Sequence, residues 1–356
     1  MLLSLLRTAL TGVASECSCT PEEWRNVYAS AVKQSVVGVA YQGILLLPES
    51  KRPPRDLLLL WARSAEMIRG LNLLQNNYAA LLTEKFKAAG FRSAVLKGQA
   101  NSRLYPNAGT RQCGDVDIWV EGGRKRIESM LLDLKLLPKK DDSTSKHHIH
   151  LPRNSDGIIA EVHFKPASGI PFRNGKLQKF LNEEILKAEL VPEGFYAPSI
   201  KFALVMQMAH LQQHFLGGGL GLRQYMDYFV LLHHSTEKDR EEVSKIIKSL
   251  YMGYNCAAVM WVLHAAFGLE RELMLCEPDA KRGKRLLSLA LTGGNFGRYS
   301  SSKKPCNVFV RWFRDRLRAL SWLTFDPINA IFRELWYWKS TISLIPRRIK
   351  CRKIAL

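Results

Sequence analysis

The strongest constraint on this chain is a change in the spacing of its apolar residues. Over residues 55–89 they fall at three- and four-residue steps, with Leu57, Leu60, Trp61 and Ile68 on the pattern, as an amphipathic helix requires. After Gly90 the pattern shortens to strand length, at 91–96, 115–120, 147–151 and 158–164. From about residue 173 onward helical spacing returns. Two helical blocks around one short strand-rich stretch predict an α+β fold, with about four strands in a mixed sheet backed by helices on one face. No internal repeat competes with that plan.

Punctuation refines it. Thr20-Pro21-Glu22-Glu23 caps a helix over 21–47, and a proline-rich break spans 48–54. Gly70 is able to divide the next helix in two. A brief helix fits 100–105, and Gly122-Gly123 precedes another at 124–136. Residues 152–157, Pro-Arg-Asn-Ser-Asp-Gly, have hairpin chemistry and join the last two strands. Later helices are expected at 175–187, 199–216, 220–234, 237–250, 254–268 and 280–291, with Gly217-Gly218-Gly219 separating the second from the third. Residues 292–307 read as loop. The domain plan is a helical region at 1–90, the α/β core at 91–170, a helical domain at 171–300 and a basic, Trp-rich helical tail at 301–356.

Composition enters at two points. Hydrophobic residues at 47% and charged residues at 24% are ordinary globular usage, which excludes disorder, collagen and coiled coil. A net charge of +20 is not ordinary and asks for an anionic partner: nucleotide, nucleic acid or lipid surface. Residues 281–356 hold 18 Lys or Arg and 3 Asp or Glu, so +15 of that charge sits at one end, interleaved with Trp312, Trp322, Trp336 and Trp338. That end suits an anionic membrane surface or a nucleic acid. The cysteines at 17, 19, 113, 256, 276, 306 and 351 are odd in number and lack zinc spacing, as expected of reduced thiols in the cytoplasm. Residues 1–12 read as an amphipathic helix rather than a signal peptide, and no apolar run is long enough to span a bilayer.

The chemistry lies between residues 96 and 164. In a strand, residues two apart share a face, so Asp115 and Asp117 of Asp-Val-Asp-Ile-Trp-Val present their carboxylates together. Like charges side by side call for a cation, and Mg²⁺ accepts hard oxygen ligands together with phosphate oxygens. Upstream, Lys97-Gly98 offers a turn in which the backbone approaches a triphosphate closely. Glu161, between the core-facing Ala160 and Val162, is the candidate third acid, as metal ligand or base.

Lys97-Gly98-Gln99, Arg111 just ahead of Asp115-x-Asp117, and Glu161-Val162-His163 together resemble the nucleotidyltransferase superfamily built on the polymerase-beta-like core. More narrowly they resemble a family of uncharacterised bacterial nucleotidyltransferases in which helical regions flank the catalytic sheet. Arg223 and Asp227, one turn apart, match a pattern in that family's helical region. The resemblance covers roughly residues 20–300 and implies transfer of a nucleoside monophosphate from an NTP, ATP favoured, to a hydroxyl acceptor, with pyrophosphate leaving. Carried over, Asp115, Asp117 and Glu161 bind two Mg²⁺ ions, while Lys97, Gly98, Gln99, Arg111 and His163 contact the nucleotide. Gln99 stands where the superfamily usually has a small hydroxyl residue, and Glu161 where Asp is commoner. The acceptor is open among small molecule, sugar, protein and RNA. The expected location is the cytoplasm, with the tail allowing contact with a membrane. The competing reading is a non-catalytic nucleotide-, membrane- or RNA-binding protein on a decayed transferase core.

Other residues carry alternatives. His147, His148, His150 and His163 come together if their strands pair. They then orient triphosphate or acceptor, serve structure alone, or form a zinc site that lacks both a thiolate and a standard spacing. Arg111 contacts phosphate, or pairs with the acids and holds the loop; Arg223 and Asp227 read as an ion pair that tethers the helical domain, with acceptor binding by Asp227 as the alternative. His210 and His214, one turn apart, read as helix surface or core edge.

Overall fold

The computed structural model describes residues 1–13, 19–141, 143, 145–217, 219–295 and 307–350. Cys17, Cys306, Cys351 and Gly218 lie outside the described residues, as does most of the expected loop at 292–307. Cys113, Cys256 and Cys276 form no disulfide.

The N-terminal block is α1 (Leu2–Thr11), α2 (Pro21–Gln34), α3 (Val37–Leu45) and α4 (Arg55–Ala88). The apolar start of the chain turns inward: Leu5 and Leu6 of α1 are fully buried against α3 and the later helices. Gly43 permits that contact, because a Cβ there would overlap the Leu5 carbonyl. Thr20 and Glu23 cap α2 reciprocally. The single helix expected over 21–47 is two, because Ser35 adopts a left-handed conformation (φ 56°) and closes α2. Conversely α4 runs its 34 residues through Gly70 without a break, held by Leu57, Trp61, Ala65, Ala79, Leu82 and Phe86 along its buried side.

The middle of the chain builds a four-stranded mixed sheet from β1 (Ser93–Val95), β2 (Val116–Val120), β3 (His148–His150) and β4 (Ala160–His163), in spatial order β1-β2-β4-β3. Only the β2–β4 pair is parallel. A four-residue helix α5 (Gln99–Ser102) follows β1, and α6 (Arg124–Asp133) follows β2. Val116, Ile118, Val120 and Val162 pack one sheet face on Phe86 of α4 and on Ile127 and Leu131 of α6.

The rest is α7 (Asn174–Ile185), a small hairpin of β5 (Glu189–Leu190) and β6 (Tyr196–Ala197), then α8 (Ile200–Gly217), α9 (Leu222–His233), α10 (Glu237–Ser249), α11 (Gly253–Phe267) and α12 (Ala280–Gly293). One apolar core joins α1–α3 to α8–α12. The tail is α13 (Val308–Ser321) and α14 (Pro327–Lys350). The corner between them docks: Trp322 and Phe325 are buried, Arg282 donates from Nε to the Phe325 carbonyl (2.7 Å), and the Arg285 guanidinium lies 4.3 Å from the Trp322 ring centre. No helix among the described residues is long and apolar enough to cross a membrane.

Candidate active site

The second face of the sheet is where polar chemistry collects. The β2 sequence alternates polar and apolar, as a half-buried strand would, yet all five of its residues are buried. The reason is α8, which crosses the face carrying Asp117 and Trp119. Between α8 and the sheet runs a cleft of about 430 Å³, lined by Lys97, Asp115, Glu161, His163, His210 and His214, among others. That volume falls in the range of small-molecule sites.

Strand register assembles the constellation. The parallel pairing of β2 with β4 sets Asp117 beside Glu161 and Trp119 beside His163. The antiparallel pairing of β4 with β3 sets His163 beside His148 and Glu161 beside His150. Paired residues and residues two apart share a face, so Asp115, Asp117, Glu161, His163, His148 and His150 all belong to one side of the sheet. His163 Nε2 lies 3.0 Å from Asp117 Oδ1 and 3.5 Å from Glu161 Oε2, and Lys97 Nζ lies 3.3 Å from Asp117 Oδ1. Asp117, Glu161 and His163 can each present a ligand atom to one small volume.

The charges in this group divide by neighbour. Burial works against ionised Asp117, but Lys97 and the hydrogen-bonded His163 overcome it and hold the carboxyl far below the usual range. His163 is raised despite its burial, because Asp117 and Glu161 both accept from it. Asp115 stands at the solvent-facing mouth, and desolvation by the cleft walls, with Asp117 and Glu161 close by, pushes its carboxyl up to about 6. Asp117 and Glu161, with Asp115 close enough to feel the charge of both, offer hard oxygen donors of the kind a divalent cation takes.

Lys97 and Gly98 form the turn out of β1. Gly98 has φ 61°, a region that costs a side chain dearly, and with no Cβ it leaves the turn open beside the Asp115 carbonyl. Gln99 is placed elsewhere. It is buried in α5, where its Nε2 donates to Gln75 Oε1 (3.0 Å), and Gln75 in turn donates to the Gly114 carbonyl. Arg111 is also drawn inward: Nε and one terminal nitrogen donate to the two Asp227 carboxylate oxygens, each at 2.6 Å, and the Tyr105 hydroxyl donates to the same carboxylate (2.7 Å). Asp227 thus takes its bidentate partner from the loop before β2, where the sequence pairs it with Arg223 of its own helix. Arg223 donates to the Gln112 carbonyl (2.6 Å).

Sequence reading missed this scaffold. Asn72 of α4 donates to the Gly109 and Arg111 carbonyls (3.0 and 2.9 Å), so α4 and α9 together hold the loop that delivers Asp115. Polar residues at 72 and 75 on the inner side of an otherwise apolar helix were the available signal. His210 and His214, which the sequence alone puts at helix surface or core edge, line the cleft, with Nε2 atoms 2.9 Å apart. Burial, with Lys97 nearby, drives His210 well below its ordinary value, and burial takes His214 to about 4.

A family model described as uncharacterised nucleotidyltransferase matches residues 20–268 of the chain. Among solved structures, the chain is similar to the crystal structure of an antigenic nucleotidyltransferase-like protein from Paracoccidioides brasiliensis. Identity is 14% and the TM-score 0.32, over 55% of this chain and 93% of that one. No curated protein matches the chain.

Proposed function

The chain belongs to the uncharacterised nucleotidyltransferase family, and from that premise we propose that it moves a nucleoside monophosphate from an NTP, with ATP the favoured donor, to a hydroxyl acceptor. The observation that carries the reading is the parallel register that sets Asp117 beside Glu161 in a cleft onto which Lys97-Gly98 also opens. The same register supports placing the sheet among polymerase-beta-like cores. Asp115, Asp117 and Glu161 are the residues that would hold Mg²⁺. When bound, Mg²⁺ lowers the attacking hydroxyl's pKa and steadies the leaving pyrophosphate.

The chain's own residues do the rest. Gly98 leaves room for the triphosphate, and the Lys97 ammonium offsets its charge. The acceptor oxygen bonds to the α-phosphorus as the bond to the bridging oxygen of the β-phosphate breaks. Glu161 takes the acceptor's proton, and pyrophosphate carries away the electron pair. His163 holds Asp117 and Glu161 at their spacing. Arg111, Asp227, Gln99 and Gln75 act one step back, as positioning residues for the loop that ends in Asp115.

Calorimetric titration of ATP, GTP, CTP and UTP with Mg²⁺, with pyrophosphate release followed in parallel, tests the reading. Binding that depends on Mg²⁺ and disappears in Asp115→Asn/Asp117→Asn is expected. No binding by any NTP would leave a decayed transferase core as the better description.

The tail calls for a partner of its own, an anionic lipid surface. Along α13, Val310, Phe313, Leu317 and Leu320 are exposed at helical spacing, and Ile331, Leu335, Trp338 and Ile342 repeat the pattern on α14. Aliphatic and aromatic side chains among many Arg and Lys suit a headgroup boundary better than a stacking platform for bases.

A further inference from the structure

In the half of the sheet face nearest β3, the transfer proposed above uses Glu161 and gives His148 and His150 no part. There, His148 Nδ1 lies 3.3 Å from Glu161 Oε2, and His150 Nδ1 lies 3.3 Å from Glu161 Oε1, so the two imidazoles address the two oxygens of one carboxylate. Their Nε2 atoms meet at 3.1 Å. That contact gives each ring a single hydrogen-bond partner. His148 Nδ1 remains buried without one, although Glu161 Oε2 is within reach. Two nitrogen donors and an oxygen donor therefore converge with part of their lone-pair capacity unspent.

We propose that His148, His150 and Glu161 form a binding site for a borderline divalent cation of the zinc class, sharing Glu161 with the carboxylates that would hold Mg²⁺. Three facts carry it. First, the ligand atoms of these three residues lie within 4.8 Å of one another. Each Nδ1 stands 3.3 Å from a Glu161 oxygen, His148 from Oε2 and His150 from Oε1, close to the roughly 3.3 Å that metal bonds of about 2.0–2.1 Å set between ligand atoms. Second, the chemistry selects the ion: imidazole nitrogen suits Zn²⁺ and Co²⁺, whereas Mg²⁺ prefers oxygen and keeps its waters. Two histidines and a glutamate are a known zinc set, and they leave a fourth position free. Third, strand register enforces the arrangement, because Glu161 sits directly opposite His150 and His163 opposite His148. His163 Nε2 is already engaged by Asp117 (3.0 Å) and Glu161 (3.5 Å), so His148 and His150 are the imidazoles left to the cation.

The site does not depend on the transferase reading, and its test uses no nucleotide. Metal-free full-length protein is titrated with Co²⁺, and the visible d–d absorption is read. A single saturable equivalent with the intensity of a four-coordinate nitrogen and oxygen site is expected, displaced by Zn²⁺ and not by an equal concentration of Mg²⁺. His148→Ala and His150→Ala should each weaken Co²⁺ binding at least about ten-fold, while Asp115→Asn retains it. His150 is 55% exposed, so His150→Ala carries the test even if His148→Ala fails to fold. Absence of the band, wild-type affinity in His150→Ala, or equal loss in Asp115→Asn would each overturn the site.

Discussion

The sheet cleft and the C-terminal hairpin are both rich in charge, and they treat it in opposite ways. In the cleft, ionisable groups are enclosed and answered: Asp117 by Lys97 and His163, Asp227 by Arg111 and Tyr105. In the hairpin, Lys339 faces solvent and Arg314, Arg316, Arg318 and Arg333 are half-buried, beside Leu335 and Trp336, which are 58% and 57% exposed. Enclosed charge must find its partners inside the fold, so it fixes geometry. Exposed charge beside exposed apolar surface looks for its partner outside. The contrast is not absolute, since Arg316 pairs with Glu334 and stacks on Tyr337 across the hairpin.

The sharpest way to break the comparison is at Asp117. If the cleft carries the chemistry, Asp117→Asn lowers nucleotidyl transfer about 10⁴-fold, roughly 5 kcal/mol of transition-state stabilisation. Truncating the hairpin's apolar face leaves transfer to a soluble acceptor unchanged. Initial rates of pyrophosphate release for the two variants check this, and equal losses would erase the distinction.

The next test removes an answer from an enclosed charge. Asp227→Leu leaves the Arg111 guanidinium buried without its carboxylate, and urea unfolding should show a loss of about 3–5 kcal/mol. Adding Arg111→Met should recover much of that loss, because the double variant buries no unpaired charge. A double variant no better than the single would mean that the pair acts through the shape of the loop rather than through charge.

These two residues also mark the limit of what the sequence discloses. Asp115, Asp117 and Glu161 were readable because a two-residue period in short apolar runs dictates which side chains share a sheet face. The joining of Glu161 to the histidines was readable as far as hairpin chemistry at 152–157 allowed. Arg111–Asp227 was not, because it links positions 116 apart and the nearer candidate, Arg223 one turn away, obeys the local rule. The burial of Gln99 follows from Gln75 of α4 reaching across to it, a contact no local pattern encodes. The β5–β6 hairpin escaped because each strand is two residues long. The division at Ser35 hung on one left-handed residue without the glycine that usually announces it.

Proton uptake offers a milder probe of the same enclosure. Burial holds His214 at about 4 against an ordinary value of 6.5. The unfolded chain therefore binds the extra proton between those limits, and the stability tied to neutral His214 is full above pH 6.5 and lost as pH falls toward 4. Asp117, with its depressed carboxyl, contributes in a lower window, above its ordinary 3.8 and vanishing below it. Urea unfolding from pH 7 to 4.5 should show a decline on the order of 2 kcal/mol attributable to His214, flattened in His214→Gln. An unchanged slope in that variant would place the buried proton site elsewhere.

The smallest effect on the fold is expected in the hairpin, and there it is informative because it is small. Leu335→Ser and Trp336→Ser remove side chains that face solvent, so stability should move by no more than about 0.5 kcal/mol. The same pair should weaken sedimentation with phosphatidylglycerol vesicles several-fold while leaving weak binding to phosphatidylcholine vesicles as it was. A drop in stability of several kcal/mol would mean that these residues complete the core. Unchanged vesicle binding with lost RNA binding would replace the lipid surface with a nucleic acid. Either result would move the hairpin from the outward-looking side of the comparison or change what it looks toward, and neither would disturb the cleft.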